Sequence, residues 1–145
     1  MPDELLARLA AIVGPKGLLT EGDLSRHLVD WRDYVHGSAR AVVLPKTTEE
    51  VAAVVKLAAG EGIPIVPQGS NTSMCYGSVP HAGENGIVLS LSRMNAIREL
   101  DREGSVAVVE AGMILSNLHE AVAGIDRQFP LHLGAEGTAE IGGLV

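Results

Sequence analysis

Several residue types and sequence features are scarce in this chain, and each absence argues against a class of structure or function. Aromatic residues make up 3% of its 145 residues, so its core must be built from Val, Leu, Ile and Ala. Its one cysteine, Cys75, excludes an internal disulfide and predicts a cytoplasmic location. The net charge of −7 argues against a nucleic acid as partner, because phosphates are neutralised by clustered Lys and Arg. No apolar run reaches the roughly 18 residues that a membrane span needs, and the acidic N-terminus lacks the basic region of a signal peptide.

What is present fits one globular domain, since 46% of the residues are hydrophobic. In the first part of the chain, apolar periodicity and turn residues predict helices over 3–13, 20–28 and 47–59 and strands over 41–44 and 63–66. Thr20 is expected to cap the second helix, and Thr47 or Thr48 the third. The strand, helix and strand between 41 and 66 form a βαβ unit, so these strands are expected to be parallel.

The second part of the chain differs from the first, because its strands are expected to be mainly antiparallel. It predicts strands over 86–91, 96–100 and 105–111 and a helix over 114–122. A turn that ends in Gly104 joins the last two strands, so this pair is expected to be antiparallel. The fold class is therefore α+β, with a small parallel βαβ lobe followed by an antiparallel lobe. The predicted units are an N-terminal helical segment over 1–38, the βαβ lobe over 39–84 and the antiparallel lobe over 85–145.

The most informative stretch directly follows the strand at 63–66. It reads Pro-Gln-Gly-Ser-Asn-Thr-Ser over 67–73, with Gly77 and Ser78 shortly after. Small side chains let a phosphate approach the main chain, and no carboxylate within the turn repels it. The alternative is an ordinary solvated turn.

A second glycine-rich loop lies at 134–143, with four glycines in ten positions. Such density permits a ligand to approach the backbone, but it equally describes a structural loop. The first turn lacks the Gly-Lys-Ser/Thr ending of a triphosphatase loop and the Gly-x-Gly-x-x-Gly opening of a nicotinamide-binding unit. There is also no Gly-x-Ser-x-Gly elbow of a hydrolase.

The remaining reactive side chains give weaker signals. The five histidines show no helical pairing and no cysteine partner at metal spacing, so no metal site is predicted. His132 either lines a cleft or simply packs. Cys75 is expected to be a small packed residue, and Arg32 to form a surface salt bridge.

Several segments, in order along the chain, resemble the FAD-linked oxidase family, also called the vanillyl-alcohol-oxidase or PCMH type. Within that family the sequence looks closest to D-2-hydroxy-acid dehydrogenases of the glycolate, D-lactate and D-2-hydroxyglutarate type. The resemblance spans about residue 30 to residue 145. The matching segments are Asp30-Trp31-Arg32, 41–55, 66–72, 89–95, 109–112, 129–131 and 141–143.

The resemblance implies that the turn at 67–73 cradles the pyrophosphate of FAD with its backbone amides, and that a second set of residues borders the flavin. Asn71 stands where covalently flavinylated relatives have histidine, which implies noncovalent FAD. Ser70 and Ser73 stand where the family usually has glycine, so they either strain the turn or bond the phosphates. The implied cofactor residues are Pro67, Gln68, Gly69, Ser70, Asn71, Thr72, Ser73, Gly77, Ser78, Val79, Pro130, Leu133, Gly134, Gly137, Thr138, Ile141 and Gly142.

The family's flavin domain continues beyond the length present here, and a further domain supplies its catalytic histidines and arginine. The chain is therefore expected to be an N-terminal piece that is inactive alone, and no catalytic residue is assigned. The parent protein is expected to oxidise a small D-2-hydroxy acid by hydride transfer to FAD and to pass electrons to an acceptor. A homodimer is left open. The alternative is a noncatalytic fragment or interaction module.

Overall fold

The computed structural model describes residues 4–83 and 85–145. Residue 3 of the first predicted helix and the domain boundary at residue 84 lie outside this part of the chain. The strands are β1 (Leu18–Leu19), β2 (Ala41–Val43), β3 (Ile65–Gln68), β4 (Ile87–Ser90), β5 (Ile97–Asp101) and β6 (Val106–Val109). The helices are α1 (Glu4–Val13), α2 (Ser25–Leu28), α3 (Thr48–Gly60) and α4 (Leu115–Ala123), with 3₁₀ turns at Pro15–Gly17 and Ile141–Gly143.

Helix α3 begins as its sequence predicts. The Thr47 hydroxyl accepts a hydrogen bond from the Glu50 backbone N–H at 3.1 Å, so one otherwise unpaired donor of the first turn is satisfied. Val54 and Ala58, four residues apart on one face, are fully buried. They pack with Leu9 of α1 in the main hydrophobic core. The predicted cap is confirmed at Thr47. The sequence predicts a buried stripe of Val51, Val54, Val55 and Ala58, of which Val55 is 42% exposed.

The four-stranded sheet has the order β1-β2-β4-β3, in which β1 is antiparallel to β2 and the other pairs are parallel. Strand β4 was expected in the antiparallel lobe, but it lies between β2 and β3, with Val88 opposite both Val42 and Val66. The two strands of the βαβ unit are therefore parallel without pairing directly. All four residues of β4 are buried, as expected for a central strand of a parallel sheet.

Strands β5 and β6 form a separate antiparallel pair, with Leu100 opposite Ala107, which confirms the predicted hairpin. Beneath this hairpin, Met113, Leu118 and Val122 form a second small core. The α+β class is thereby confirmed, with a mixed sheet and an antiparallel pair.

The predicted N-terminal helical segment differs from the structure in two places. Leu18–Leu19 adds an edge strand, which two residues cannot signal by periodicity. Thr20 does not cap α2, which begins at Ser25, and the Asp23 carboxylate instead accepts from the Ser25 N–H at 3.0 Å. Strand β3 runs over Ile65–Gln68 and not over 63–66, because Pro67 and Gln68 continue the ladder with β4. The turn that follows β3 is therefore residues 69–73, at the carboxyl end of a parallel strand, where open α/β sheets bind their ligands.

Candidate functional site

The turn at 69–73 is fixed by the side chain of Asn71. This residue is buried and has a positive φ of 58°, a conformation that Asn tolerates better than most residues. Its amide nitrogen donates to the Val29 carbonyl at 2.7 Å and to the Arg26 carbonyl at 3.3 Å. Its amide oxygen accepts from the Ser78 hydroxyl at 2.7 Å. Asn71 therefore holds the turn to α2 on one side and to Ser78 on the other.

Gln68, the last residue of β3, adds a second buried tie. Its amide nitrogen donates to the carbonyls of His27 at 2.9 Å and Ser78 at 2.7 Å. Its oxygen lies 2.6 Å from His27 Nδ1, so this nitrogen carries the proton and donates. Burial lowers the pKa of His27, which keeps the ring neutral. The Gln68 side chain thus supports the turn from within and has no free donor for a ligand.

The backbone amides of the turn are free to serve a ligand. Those of residues 69–73 donate to no protein acceptor within the described ranges. Among these five residues, positive φ falls on Asn71 and not on Ser70 or Ser73. The expected strain at the two serines is therefore absent. A cavity of about 270 Å³ adjoins the turn, and its lining is Pro67, Gly69, Ser70, Asn71, Thr72, Ser73, Gly77, Ser78, Ala139, Glu140, Gly143 and Leu144.

Glu140 brings a carboxyl group to this cavity from the other end of the sequence. The residue is 8% exposed, and its Oε2 atom has no hydrogen-bond partner in the described part of the chain. Burial raises the pKa of Glu140 to about 7, and the positive charge of Arg26 acts in the opposite direction. Near neutral pH this carboxyl is therefore partly protonated and able to donate a hydrogen bond. Sequence reasoning missed both residues, because no local pattern signals a buried carboxyl or the arginine that faces it.

Two further cavities share lining residues with the first. One of about 240 Å³ shares Pro67, Gly69, Glu140 and Gly143 with it. The remaining lining residues of that cavity are Gln68, Leu91, Ala111 and Gly142. Another of about 630 Å³ shares Thr72 and is lined also by Trp31, Met74, Leu133, Gly134, Ala135 and Thr138. The two glycine-rich segments therefore line these three neighbouring cavities, which together are called the groove.

Four of the implied cofactor residues lie away from these three cavities. Val79 is buried with 6% exposure, and Ile141 packs against the second core. Pro130 and Gly137 are exposed and line none of the three. Gly142 lines a cavity, yet its lack of a side chain has another cause. A Cβ there would lie 2.7 Å from the Ala111 Cβ, and the Gly142 N–H donates to the Ala111 carbonyl at 2.7 Å.

Two side chains near the groove differ from expectation. Cys75 is exposed and not packed. Arg32 forms the expected ion pair, with its Nε 3.8 Å from Asp30 Oδ2, but this partner is buried and the guanidinium makes further contacts. Its guanidinium lies 4.8 Å from the Tyr76 ring centroid and 5.8 Å from that of Trp31, and it donates to the Met74 carbonyl at 2.9 Å. This arrangement joins the segment after α2 to the segment after the turn.

Several known proteins are similar to this chain in sequence. A D-2-hydroxyglutarate dehydrogenase of Danio rerio, named as mitochondrial, is 37% identical over 132 residues, which are 90% of this chain and 24% of that protein. A protein of Schizosaccharomyces pombe named as a mitochondrial D-lactate dehydrogenase is 36% identical over 141 residues, which are 92% of this chain and 26% of that protein. The chain thus spans about a quarter of the length of these relatives.

Solved structures give the same fold at lower identity. An alkyldihydroxyacetonephosphate synthase matches with a TM-score of 0.85 and 22% identity over 97% of this chain and 28% of the other. A p-cresol methylhydroxylase matches with a TM-score of 0.71 and 24% identity over 85% of this chain and 24% of the other. Because these identities are low, the two structures establish the fold alone.

The expected cytoplasmic location is wrong by this comparison, since the relatives are named as mitochondrial proteins. A low cysteine count indicates a compartment where disulfides do not form, and it does not identify which one. No helix in the described ranges is long and apolar enough to cross a membrane.

Residues 39–145 match the family described as FAD binding domain. That match covers strands β2 to β6, the turn at 69–73 and the loop at 134–143. This chain belongs to the family of FAD-binding domains.

Proposed function

We propose that this chain is the FAD-binding part of a flavin-dependent oxidoreductase that oxidises a D-2-hydroxy acid. The observation that carries the proposal is the turn at 69–73, whose unpaired amides line a cavity at the carboxyl end of β3. Family membership supports FAD as the ligand. The names of the relatives support D-2-hydroxyglutarate or D-lactate as the substrate class.

The residues around the cavity fit a diphosphate. Unpaired amides and the hydroxyls of Ser70, Thr72 and Ser73 are suitable donors to its oxygens, and charge-assisted bonds of this kind are stronger than neutral ones. Glu140 opposes an anion when ionised, but its protonated form donates a hydrogen bond. The diphosphate would therefore be held by the turn, beside a neutral Glu140.

The second part of the groove suits the remaining length of an extended dinucleotide. The wall formed by Leu133, Gly134 and Thr138 is short and mainly apolar, and Trp31 and Met74 are exposed opposite it. Planar ring systems bind well against such surfaces. FAD, when bound, supplies the hydride acceptor, and this chain fixes its position and electrostatic surroundings.

The attachment of FAD is proposed to be noncovalent. Asn71 carries a carboxamide, which is not a nucleophile, and its three hydrogen bonds already occupy the side chain. Acid precipitation of the loaded protein is therefore expected to leave the flavin in the supernatant. Flavin that remains with the pellet would contradict this, and the exposed thiol of Cys75 would be the next residue to test.

The experiment for the function uses the complete protein that contains this chain. Purified protein is expected to show a flavin spectrum that D-2-hydroxyglutarate or D-lactate bleaches without oxygen, while the L-enantiomers leave it unchanged. Retained flavin with no bleaching by any 2-hydroxy acid would exclude the substrate class and keep FAD binding. Absence of flavin after reconstitution would support the alternative of a noncatalytic module.

A further inference from the structure

A cluster of three metal-ligating side chains lies outside the hydrogen-bond network of the turn. His119 comes from α4, and His132 and Glu136 come from the loop that precedes the 3₁₀ turn at Ile141–Gly143. Glu136 Oε2 lies 3.2 Å from His119 Nδ1 and 3.2 Å from His132 Nδ1. One ligand atom from each of the three residues can be chosen so that all lie within 4.8 Å of one another.

We propose that His119, His132 and Glu136 form a binding site for a divalent cation of the zinc class. Ligand atoms about 2.0–2.1 Å from a tetrahedral Zn²⁺ lie about 3.3 Å from one another. Both nitrogen-to-oxygen distances in the cluster are already close to that value. Two imidazoles with one carboxylate suit Zn²⁺ and similar transition metals, whereas Mg²⁺ and Ca²⁺ prefer oxygen ligands alone.

The backbone holds the loop against α4 before any metal binds. The Ser116 N–H donates to the Glu136 carbonyl at 2.9 Å, and the Leu115 N–H donates to the Ala139 carbonyl at 2.9 Å. These bonds satisfy donors at the start of α4, which lacks a side-chain cap. His132 and Glu136 are therefore positioned beside His119 by the main chain, which lowers the entropy that a metal must offset.

The side chains leave room for an ion and for a water ligand. The His132 side chain is 60% exposed and that of His119 is 20% exposed, so the cluster opens to solvent on one side. His119 Nε2 is buried without a hydrogen-bond partner in the described ranges, but the short distance to Glu136 is made by Nδ1, which is therefore the nitrogen that would bind the ion.

The bound metal would have a structural role, because it would stabilise one wall of the groove. Leu133, Gly134 and Thr138, which line the second part of the groove, lie within or next to the segment from His132 to Glu136. A metal bridging this segment to α4 would fix that wall without contacting the groove itself. Sequence reasoning predicted no metal site, because it searched for pairs among histidines and cysteines and did not pair His132 with Glu136 four residues later.

The test is a titration of metal-free protein with Co²⁺ alone, without flavin, so its result does not depend on the proposed function. The visible spectrum of low-symmetry Co²⁺ is expected to saturate at one equivalent and to be abolished by Zn²⁺. His132→Ala and Glu136→Gln are each expected to weaken binding at least about tenfold, since even outer-shell substitutions cost 10–100-fold. His81→Ala, which removes an exposed histidine outside the cluster, is the matched control and is expected to bind as the parent does.

Thermal unfolding distinguishes a loss of metal binding from a loss of folding in the variants. With chelator present, His132→Ala is expected to unfold at the parent's temperature, and added Zn²⁺ is expected to raise the unfolding temperature of the parent and not of the variant. A parent protein with no saturable spectrum would overturn the site. Equal affinities in the parent and both cluster variants, or an equal loss in His81→Ala, would also overturn it.

Discussion

Gly69 and Glu140 lie side by side in the lining of the cavity, although 71 positions separate them in the sequence. A Cβ atom placed on Gly69 would lie 3.4 Å from the Glu140 Cβ and 3.5 Å from its Oε2, which is ordinary van der Waals contact. The space beside Gly69 therefore accepts one methyl group, which would already be in contact with Glu140. This closeness makes both residues sensitive probes of the cofactor site.

Gly69→Val is expected to weaken FAD binding at least about tenfold, or about 1.4 kcal/mol, because the valine methyls extend beyond Cβ into Glu140 and the cavity. Gly69→Ala is the graded control, and its smaller side chain is expected to cost much less. Titration of FAD into the apo forms measures both. Unchanged affinity of a folded Gly69→Val protein would remove this turn from the cofactor site.

FAD affinity is expected to fall as pH rises through about 7, because Glu140 then loses the proton that lets it face an anion. Glu140→Gln keeps the shape and a donor but cannot ionise, so its dissociation constant is expected to stay flat over the same range. FAD titrations one unit below and one unit above neutrality measure the difference. A flat profile in the parent protein would exclude Glu140 from contact with the diphosphate.

Glu140 is also expected to affect the stability of the protein without FAD. Its pKa is raised from 4.5 to about 7 in the folded state, so the folded protein binds more protons than the unfolded chain within that window. The stabilising contribution is complete below pH 4.5 and is lost as pH rises through 7. Chemical unfolding is expected to show a fall of about 3 kcal/mol across this window, and Glu140→Gln is expected to lack it. An equal fall in that variant would assign the effect to other groups.

Ser70→Gly is expected to weaken FAD binding by about 1.5–3 kcal/mol, the usual value of a hydrogen bond to a charged group. The strain account predicted tighter binding by the glycine variant, but Ser70 does not have positive φ, so glycine relieves nothing there. Ser70→Ala keeps the Cβ atom and removes the hydroxyl, and it should match the glycine variant. Tighter binding by Ser70→Gly would show that the hydroxyl is not a phosphate ligand.

Gly142→Ala is expected to destabilise the fold, because the new Cβ would lie 2.7 Å from the Ala111 Cβ and 3.0 Å from the Ala111 carbonyl oxygen. Ala111→Gly in the same protein removes the first contact and should restore part of the loss. Urea unfolding of the two single variants and the double variant measures this coupling. If the losses are simply additive, the packing explanation for Gly142 fails.

The fold was largely predictable where local signals agree. In α3, a threonine cap, two glutamates in the first turn and a four-residue spacing of Val54 and Ala58 all indicate the same helix. The position of β4 between β2 and β3 was not predictable, because strand order follows from how distant segments pack and not from any segment's own pattern. β1 was missed for a simpler reason: two residues carry no period.

The candidate site was predictable on one side only. Small residues after a strand indicate an anion-binding turn, and Gly69 to Ser73 line the cavity together. Glu140 and Arg26 were not predicted as part of the site, because the burial of a carboxyl and its interaction with a distant arginine arise only in the folded chain. The roles of Gln68 and Asn71 as internal ties were also hidden, since an amide that bonds a ligand and one that bonds a carbonyl look the same in a sequence.

The ties made by Asn71 and Gln68 reach carbonyls of Arg26, His27 and Val29, all of which precede the family match that starts at residue 39. The homologous boundary is therefore not a safe place to cut this protein. A shortened chain over 39–145 would keep every glycine of both loops. It would leave the Asn71 amide nitrogen without its two acceptors and that of Gln68 with the Ser78 carbonyl alone, at about 1–3 kcal/mol for each unpaired group. The proposed cofactor residues thus lie within the family match, whereas backbone acceptors that hold Asn71 and Gln68 in place lie in the segment that precedes it.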